Sequence, residues 1–225
     1  IIKIGSTELN HISFLEAVGK KNRPVILSTG LGTLEEVHLA VNALRRGGGK
    51  DLAITILQCT SEYPAPPDEM NIYVIKTFLK TFNLPVGLSD HSFGLEAAIA
   101  AVTLGSSVVE KHFTLDREME GPDHAASLNP IELKEFVSVL RRVKIMLGNG
   151  IKAPTKTEIK NIEGIRRSVV ANTNLKAGSI LQMKDLICKR PGTGISPAEI
   201  QLLIGSKLKR DFIKDEPITW EDIVS

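Results

Sequence analysis

The chain has 225 residues, enough for one large domain or for a medium domain with a small one. Hydrophobic residues make up 42% and charged residues 24%, which is the balance of an ordinary globular protein. The net charge is +2, and no dense Lys/Arg stripe with interleaved aromatic residues occurs, which argues against nucleic acid as the main partner. The apolar stretches are only as long as strands, so no membrane span is expected.

The cysteines and the start of the chain give further expectations. Cys59 and Cys188 are far apart in the sequence and are expected to be unpaired, which fits a cytoplasmic location. The chain opens on Ile1 in a strand-like run, without an initiator Met or the features of a secretory signal. We therefore expect a piece of a longer protein with further segments upstream.

Strand-like runs alternate with helical patterns along residues 1–150. A capping box at Thr33 and Glu36 predicts one helix, and Asn129 followed by Pro130 predicts another. Strands of nearly continuous apolar character, separated by helices, are typical of a parallel sheet. The predicted strands lie at 1–5, 24–28, 53–59, 85–88 and 107–111.

The spacing of these strands is that of βα units, and five units are visible. A closed (β/α)8, or TIM, barrel needs eight. The sequence is therefore compatible with an open α/β sheet, or with the last five βα units of a TIM barrel whose first three units precede residue 1.

The remaining residues change character. The polar, Pro-containing segment 151–165 is predicted to be a linker. Residues 166–225 are predicted to form a small β-rich domain, with strands near 167–171 and 186–190 and a short helix near 196–204. A domain of this size is near the lower limit for independent folding, so we expect it to rest on a partner surface.

Polar side chains gather where the predicted strands end. In a barrel the carboxyl ends of the strands converge on one face, so these residues are expected to form a site. The opposite strand ends carry nothing comparable. The polar residues in question are Lys3, Ser6 and Glu8; Ser28 and Thr29; Thr60, Ser61 and Tyr63; Ser89 and His91; and Glu110, Lys111 and His112.

Two histidines in this set are candidates for a metal site. A single histidine is more often structural, but His91 and His112 follow neighbouring strands and have carboxylates close by. Two imidazoles that leave other coordination positions on the metal open suit Mn, Fe, Zn or Co. Such an ion would polarise a carbonyl group. His124 is expected on an exposed loop, and His11 and His38 on helix surfaces.

Lys3 and four serines are candidates for an anion site. Lys3 lies in an otherwise apolar strand, where it would either meet an anion in the barrel mouth or discourage pairing at a sheet edge. Ser6, Ser28, Ser61 and Ser89 could donate hydroxyl groups to a phosphate.

Glu110 and Asp123 are candidates for proton transfer, although Asp123 could also be a turn residue after Gly-Pro. The glycines at 30 and 32 and at 47–49 lack the flanking residues of nucleotide-binding loops and are interpreted as turns. The residues alone thus indicate a metal-assisted enzyme that acts on an anionic small molecule together with a carbonyl compound.

Seven motifs, in order along the chain, resemble the sialic acid synthase family, whose members condense phosphoenolpyruvate with an N-acetylhexosamine. The tail resembles the antifreeze-like SAF domain of the same enzymes. The motifs are Lys3-Ile4-Gly5-Ser6, Pro24-Val25-Ile26-Leu27-Ser28-Thr29-Gly30, Cys59-Thr60-Ser61-Glu62-Tyr63-Pro64, Gly87-Leu88-Ser89-Asp90-His91, Glu110-Lys111-His112-Phe113-Thr114, Gly121-Pro122-Asp123-His124 and Lys189-Arg190-Pro191-Gly192-Thr193-Gly194.

This resemblance implies a carbon–carbon bond-forming transferase built as a TIM barrel with a SAF domain. It implies that His91 and His112 hold a divalent metal, usually Mn²⁺, with Mg²⁺ or Co²⁺ as alternatives. Arg190 matches an arginine that reaches into the barrel of a second subunit, which implies a domain-swapped homodimer. Lys3, Ser6 and Ser89 match residues that hold phosphoenolpyruvate, and Tyr63, Glu110 and Asp123 match residues near the sugar and the reacting carbons.

Several alternatives stay open. Ser61 stands where some family members carry Asn, and family residues from the first barrel strands have no positions in this chain. The acceptor could be the hexose of a legionaminic, pseudaminic or spore-coat pathway. The chain could also be a non-catalytic remnant whose SAF domain serves in binding or dimerisation, and an ice-binding tail is the weakest option.

Overall fold

The computed structural model describes residues 1–224, which form two compact units. The first unit is Ile1–Gly150, and the second begins at Ile151. No helix within residues 1–224 combines the length and the apolar character that crossing a bilayer requires.

The first unit contains five consecutive βα pairs, as the sequence predicted. The strands are β1 (Ile2–Ile4), β2 (Val25–Ser28), β3 (Ile54–Cys59), β4 (Val86–Asp90) and β5 (Val108–Lys111). The helices are α1 (Ile12–Gly19), α2 (Leu34–Gly48), α3 (Val74–Phe82), α4 (Glu96–Thr103) and α5 (Pro130–Met146). The strands pair in parallel and in chain order, β1-β2-β3-β4-β5.

Local signals explain where the helices begin. The Thr33 hydroxyl accepts from the backbone N–H of Glu36, and the Glu36 carboxylate accepts from the N–H of Thr33, so both halves of the predicted capping box form at α2. Asn129 caps α5 in the same way, with Pro130 in the first turn. These caps fix where each helix leaves the loop that follows a strand.

The two faces of the sheet differ in character because side chains alternate along each strand. The face under the helices is apolar, and it forms one core with α1, α2 and α3. The strand residues of that core are Ile4, Val25, Leu27, Ile54, Ile56, Val86 and Leu88. The other face carries Lys3, Cys59, Ser89 and Glu110, and the register pairs Cys59 with Ser89 and Ser89 with Glu110.

The sheet is curled into a half-barrel. Lys3 on β1 and Glu110 on β5 form an ion pair, with Nζ and Oε2 3.3 Å apart. In a flat sheet, strands four positions apart would be separated by about 19 Å, more than the two side chains can span. The curl therefore makes the polar face concave, as expected for the last five units of a TIM barrel.

The strand boundaries agree with the prediction to within one residue, except at the end of β4. We predicted that the fourth strand would end at Leu88, but β4 runs to Asp90. The extension is stabilised by the register with β5, which pairs Ser89 with Glu110 and Asp90 with Lys111. Polarity alone predicts an earlier end of this strand, because it does not contain the pairing with β5 that keeps Ser89 and Asp90 in the ladder.

The second unit is small and β-rich. Its strands β6 (Ser168–Ala171) and β7 (Leu186–Lys189) pair antiparallel, and a one-turn helix (Ile200–Leu203) follows. Single bridges join Leu175 to Phe212 and Leu208 to Ile223. The segment predicted as a linker contains two short helices, α6 (Lys156–Ile159) and α7 (Ile162–Ile165), and belongs to this unit. The core comprises Val169, Ala171, Leu175, Leu181, Leu186, Ile195, Leu203, Leu208, Phe212, Ile218 and Ile223.

Candidate active site

A row of polar contacts crosses the concave face at the carboxyl ends of the strands. The Ser89 hydroxyl donates to Oε1 of Glu110 at 2.7 Å, and Oε2 of Glu110 lies 3.3 Å from Nζ of Lys3. Lys3 also donates to the carbonyl of Ile4 at 3.0 Å. The curl thus joins an ammonium group, a carboxylate and a hydroxyl from three strands.

His91 extends this row beyond the end of β4. Its Nδ1 donates to the backbone carbonyl of Thr60 at 2.7 Å, since a carbonyl can only accept. Its Nε2 lies 3.3 Å from the Ser89 hydroxyl oxygen, on the side of Glu110. The Thr60 contact fixes the tautomer and leaves Nε2 as the nitrogen that faces the site.

The second histidine and an aromatic ring lie next to His91. The rings of His91 and His112 are 5.1 Å apart between centroids and steeply inclined, at 73°. The Tyr63 ring stacks on His91 at 4.1 Å and lies 5.1 Å from His112. Asp123, on the loop after β5, places Oδ2 3.9 Å from Nδ1 of His112. Tyr63, His91, His112 and Asp123 therefore form one group.

The surroundings shift the pKa values of the two imidazoles in opposite directions. Burial acts to lower the pKa of His91, but the contacts of its ring with Cys59 and with the Thr60 carbonyl outweigh burial, and the net pKa is raised. Burial lowers the pKa of His112, and the charge of His91 lowers it further. Burial also raises the pKa of the Tyr63 phenol, together with the negative charges around it. His112 is thus the readily neutral imidazole of the pair.

The two neighbouring imidazoles supply nitrogen donors of a kind that divalent cations accept. Within residues 1–224, no group of three or more His, Cys, Asp and Glu side chains is arranged to share one ion. Two imidazoles are nevertheless close together, and the bond from His91 to the Thr60 carbonyl is the outer contact that a metal-ligating histidine usually makes. Imidazole nitrogens suit such an ion, and two of them leave further coordination positions on the ion open.

Two serine hydroxyls meet over a glycine beside this group. The backbone N–H of Gly30 donates to Oγ of Ser6 at 2.9 Å. A Cβ atom on Gly30 would lie 2.1 Å from Oγ of Ser61 and 2.9 Å from Oγ of Ser6. A side chain at position 30 would push these hydroxyls away, so glycine suits this close approach of two serines that are far apart in the sequence.

Ser28 adds a third hydroxyl near the end of β2. The residue is 2% exposed, and its Oγ has no hydrogen-bond partner within the described part of the chain. A buried hydroxyl without a partner is costly, because it has lost its hydrogen bonds to water. Ser28 is therefore a polar group that a ligand could satisfy.

Not every predicted residue joins the cluster. Glu8 lies in a short 3₁₀ helix and contacts His11, with Oε2 and Nδ1 3.3 Å apart. Lys111 was grouped with the residues at the strand ends, but it points to the helix side of the sheet and pairs there with Asp90. Arg190 belongs to the second unit and is exposed.

Two residues of the cluster were not recognised as functional from the sequence. Gly30 was interpreted as a turn, and Cys59 only as an unpaired cysteine. Both cysteines are free thiols, as predicted, and Sγ of Cys59 lies 4.0 Å from Nδ1 of His91. Burial acts to raise the pKa of Cys59, but its contacts with His91, Ser6 and Ser89 outweigh burial and lower it. The position of Cys59 at the end of an apolar strand was the available signal.

A cavity of about 510 Å³ borders the cluster between α2 and α3. Cys59, Thr60 and Ser61 line it on the side of the site, and Val74 and Phe78 of α3 line it elsewhere. The two histidines do not line this cavity, so it borders the Cys59 and Ser61 side of the cluster and not the histidine pair.

These features define a half-barrel of five βα units with a polar site at the carboxyl ends of its strands, followed by a small β-rich domain. Residues 1–152 match the NeuB family, and residues 166–224 match the SAF domain. The chain belongs to the NeuB family, as the motifs predicted, and its second unit contains a SAF domain.

Individual relatives agree with this assignment. The chain is 43% identical to the N,N'-diacetyllegionaminic acid synthase of Campylobacter jejuni, over 97% of this chain and 65% of that protein. It is 36% identical to the human N-acetylneuraminate-9-phosphate synthase, over 97% of this chain and 61% of that protein. The chain thus spans somewhat less than two thirds of the length of these relatives.

A solved structure supports the fold. The putative spore coat polysaccharide biosynthesis protein E of Chromobacterium violaceum matches with a TM-score of 0.75 and 27% identity. The match covers 100% of this chain and 67% of that structure.

Proposed function

We propose that the chain forms the metal- and phosphate-binding part of a synthase that condenses phosphoenolpyruvate with an N-acetylated hexose. The product is a nine-carbon acid of the sialic type, and inorganic phosphate is released. The observation that carries this proposal is the convergence of Lys3, Ser89, Glu110, His91 and His112 on one concave face, in a chain of the NeuB family. The names of the relatives support an acid synthase of this class.

The anion site is the end of the face that holds Lys3 and the serines. The Lys3 ammonium group would offset the charge of phosphoenolpyruvate, while Ser6 and Ser89 donate hydroxyl hydrogen bonds. Ser28, with its unpartnered Oγ, and Ser61, over Gly30, would supply further donors. Each hydroxyl replaces a hydrogen bond that the phosphate loses when it leaves water.

The metal site is the pair His91 and His112. They would hold a divalent cation, with Mn²⁺ as the leading candidate and Mg²⁺ or Co²⁺ as alternatives. When bound, such an ion supplies Lewis-acid polarisation of the acceptor's aldehyde oxygen. His91 presents Nε2 because Nδ1 is held by the Thr60 carbonyl, and Tyr63 covers both rings.

The reaction requires that charge be stabilised at two carbons, the aldehyde carbon of the sugar and C2 of phosphoenolpyruvate. C3 of phosphoenolpyruvate attacks the aldehyde carbon of the open-chain sugar, and positive charge develops at C2. The aldehyde oxygen takes up a proton and becomes a hydroxyl. Water adds at C2 and loses a proton, and the C2–O bond to phosphate then breaks while the new C2 hydroxyl loses its proton to form the ketone. Glu110 lies between Lys3 and Ser89, where its carboxylate could accept the proton of that water, and Asp123 is the second candidate beside His112.

The site is completed by groups outside the described face. The relatives are longer than this chain, so the residues that select the acceptor are expected from the remaining barrel units. Arg190 of the SAF domain would reach the barrel of a second subunit in a domain-swapped homodimer. The acceptor is therefore proposed only as an N-acetylated hexose, a class that includes the acceptors of legionaminic and neuraminic acid synthesis. The proposed location is the cytoplasm.

An activity assay tests the proposal. The chain, supplied with the missing barrel units, is incubated with Mn²⁺, phosphoenolpyruvate and N-acetylmannosamine or its diacetylated analogue, and phosphate release is measured. We expect acceptor-dependent phosphate release that His112→Ala abolishes. The absence of both metal binding and turnover would contradict the enzyme assignment and favour a non-catalytic remnant.

A further inference from the structure

We propose that the buried ion pair between Asp90 and Lys111 positions the two histidines of the metal site from the opposite side of the sheet. This inference rests on the proposed function, because it assigns these residues a role toward the same metal. Asp90 and Lys111 would be positioning residues, since neither lies on the face that the ligands occupy.

The pair is joined directly to both histidines through the backbone. Asp90 and Lys111 are Cα partners in the ladder between β4 and β5, and their Oδ2 and Nζ atoms are 3.0 Å apart. His91 follows Asp90 in the sequence, and His112 follows Lys111. Side chains alternate along a strand, so the ion pair lies under the helices while the imidazoles face the concave side.

Lys111 contacts the residues on both sides of His91. Its ammonium group donates to the Asp90 carboxylate and also to the carbonyl of Ser92. The Asp90 Oδ1 atom in turn accepts from the backbone N–H of Ser92 at 2.9 Å and from its hydroxyl at 2.7 Å. Asp90 and Ser92, on either side of His91, are therefore both hydrogen-bonded to Lys111, which precedes His112.

The burial of this pair calls for a reason beyond stability. The side chains of Asp90 and Lys111 are 0% and 4% exposed, and Lys111 lies 5.9 Å from the centre of the Phe136 ring. Buried ion pairs contribute little net stability, because removing the charges from water offsets their attraction. A directional contact does, however, fix the register of the two strand ends more tightly than apolar packing does. Ligand geometry at a metal site depends on such supporting contacts.

The test measures Co²⁺ binding, using visible absorption as the signal. The double variant Asp90→Asn/Lys111→Met removes both charges with little change in volume. We expect its affinity for Co²⁺ to fall about 10- to 100-fold and the absorption bands of the bound ion to shift, while thermal unfolding stays cooperative. The matched control is Glu16→Gln/Arg46→Met, which removes an ion pair between α1 and α2 whose Nε–Oε1 distance is 2.7 Å. Its affinity should equal that of the unmodified chain.

The outcomes separate the two proposals. If the unmodified chain binds no Co²⁺, the metal site of the proposed function is wrong, and this inference fails with it. If the chain and the double variant bind Co²⁺ equally, or the control loses as much affinity as the double variant, only the positioning role is overturned. If the double variant does not fold, Asp90→Asn alone provides the test, with an expected loss of about tenfold.

Discussion

Lys3 and Glu110 lie on the first and last strands of the sheet, yet their Nζ and Oε2 atoms are 3.3 Å apart. Each is about one third exposed, with side-chain exposures of 36% and 35%. The pair is therefore accessible to a ligand from the concave face. In a site for phosphoenolpyruvate, the phosphate or carboxylate of the ligand would compete with Glu110 for the Lys3 ammonium group.

Replacing Lys3 by Met should weaken the binding of phosphoenolpyruvate. The loss of one charged hydrogen bond corresponds to about 1.5–3 kcal/mol, or roughly 10- to 150-fold in affinity. The measurement is calorimetric titration of the chain with phosphoenolpyruvate. Lys80→Met, which changes an exposed lysine in the last turn of α3, is the control and should bind like the unmodified chain. Equal affinities for all three proteins would remove Lys3 from the anion site.

Replacing Ser28 by Ala should weaken the binding of phosphoenolpyruvate without lowering the stability of the fold. The hydroxyl has no partner in the described residues, so its removal should leave the free energy of unfolding unchanged or raise it by about 1 kcal/mol. Affinity for phosphoenolpyruvate should fall several-fold. Ser106→Ala is the control, because the Ser106 hydroxyl donates to the Val108 carbonyl at 2.8 Å. That variant should lose about 1 kcal/mol of stability without losing affinity. A destabilised Ser28→Ala variant with normal binding would contradict this view of Ser28.

Replacing Gly30 by Ala should disrupt the serine pair. The new methyl group would lie 2.1 Å from Oγ of Ser61, so the hydroxyls must move apart. We expect a loss of about 1–3 kcal/mol in unfolding free energy and weaker binding of phosphoenolpyruvate. Gly164→Ala is the control, since a Cβ at Gly164 meets nothing within 4 Å. Gly164 lies in α7, where alanine should be neutral or stabilising by up to about 1 kcal/mol. Similar results for the two variants would show that Gly30 has no special role.

The second unit should lose stability in acid through Asp222. Burial acts to raise the pKa of Asp222, but its bonds with Arg210 and Thr219 outweigh burial, and the net pKa falls below 3.8. Between the folded and unfolded pKa values the unfolded chain binds more protons, so unfolding free energy rises with pH there. The contribution of Asp222 is therefore present above about pH 4 and lost as the pH falls through the folded pKa.

Asp222→Asn provides the comparison for this pH effect. The variant should be about 1–3 kcal/mol less stable at pH 7, because a charged hydrogen bond to Arg210 is lost. The difference from the unmodified chain should shrink as the pH falls below 4. Fluorescence of Trp220, the single tryptophan of the chain, reports unfolding of this unit. A difference that stays constant down to pH 2 would rule out Asp222 as the source.

Much of the first unit could be predicted from local signals in the sequence. The strands are short apolar runs, and the capping boxes at Thr33 and Asn129 mark the starts of two helices. The alternation of side chains already implies that Lys111, between Glu110 and His112, faces away from the site. A prediction that groups the three residues as the end of a strand overlooks this alternation.

The rest depends on tertiary contacts that no local pattern contains. The curl that brings Lys3 to Glu110 arises from the pairing of five strands. The approach of Ser61 to Gly30 joins loops that follow different strands, so a glycine interpreted as a turn became part of the site. The contact of Cys59 with His91 likewise depends on the register of β3 and β4.

The most direct test of the site is Mn²⁺ binding, measured by electron paramagnetic resonance of the free ion during titration of the chain. Three proteins are compared: the unmodified chain, His112→Ala and His38→Ala, which changes an exposed histidine on α2. We predict one ion bound by the unmodified chain and by His38→Ala, and an affinity at least about tenfold lower for His112→Ala. Equal Mn²⁺ affinity for all three proteins would contradict the assignment of His91 and His112 as the metal site.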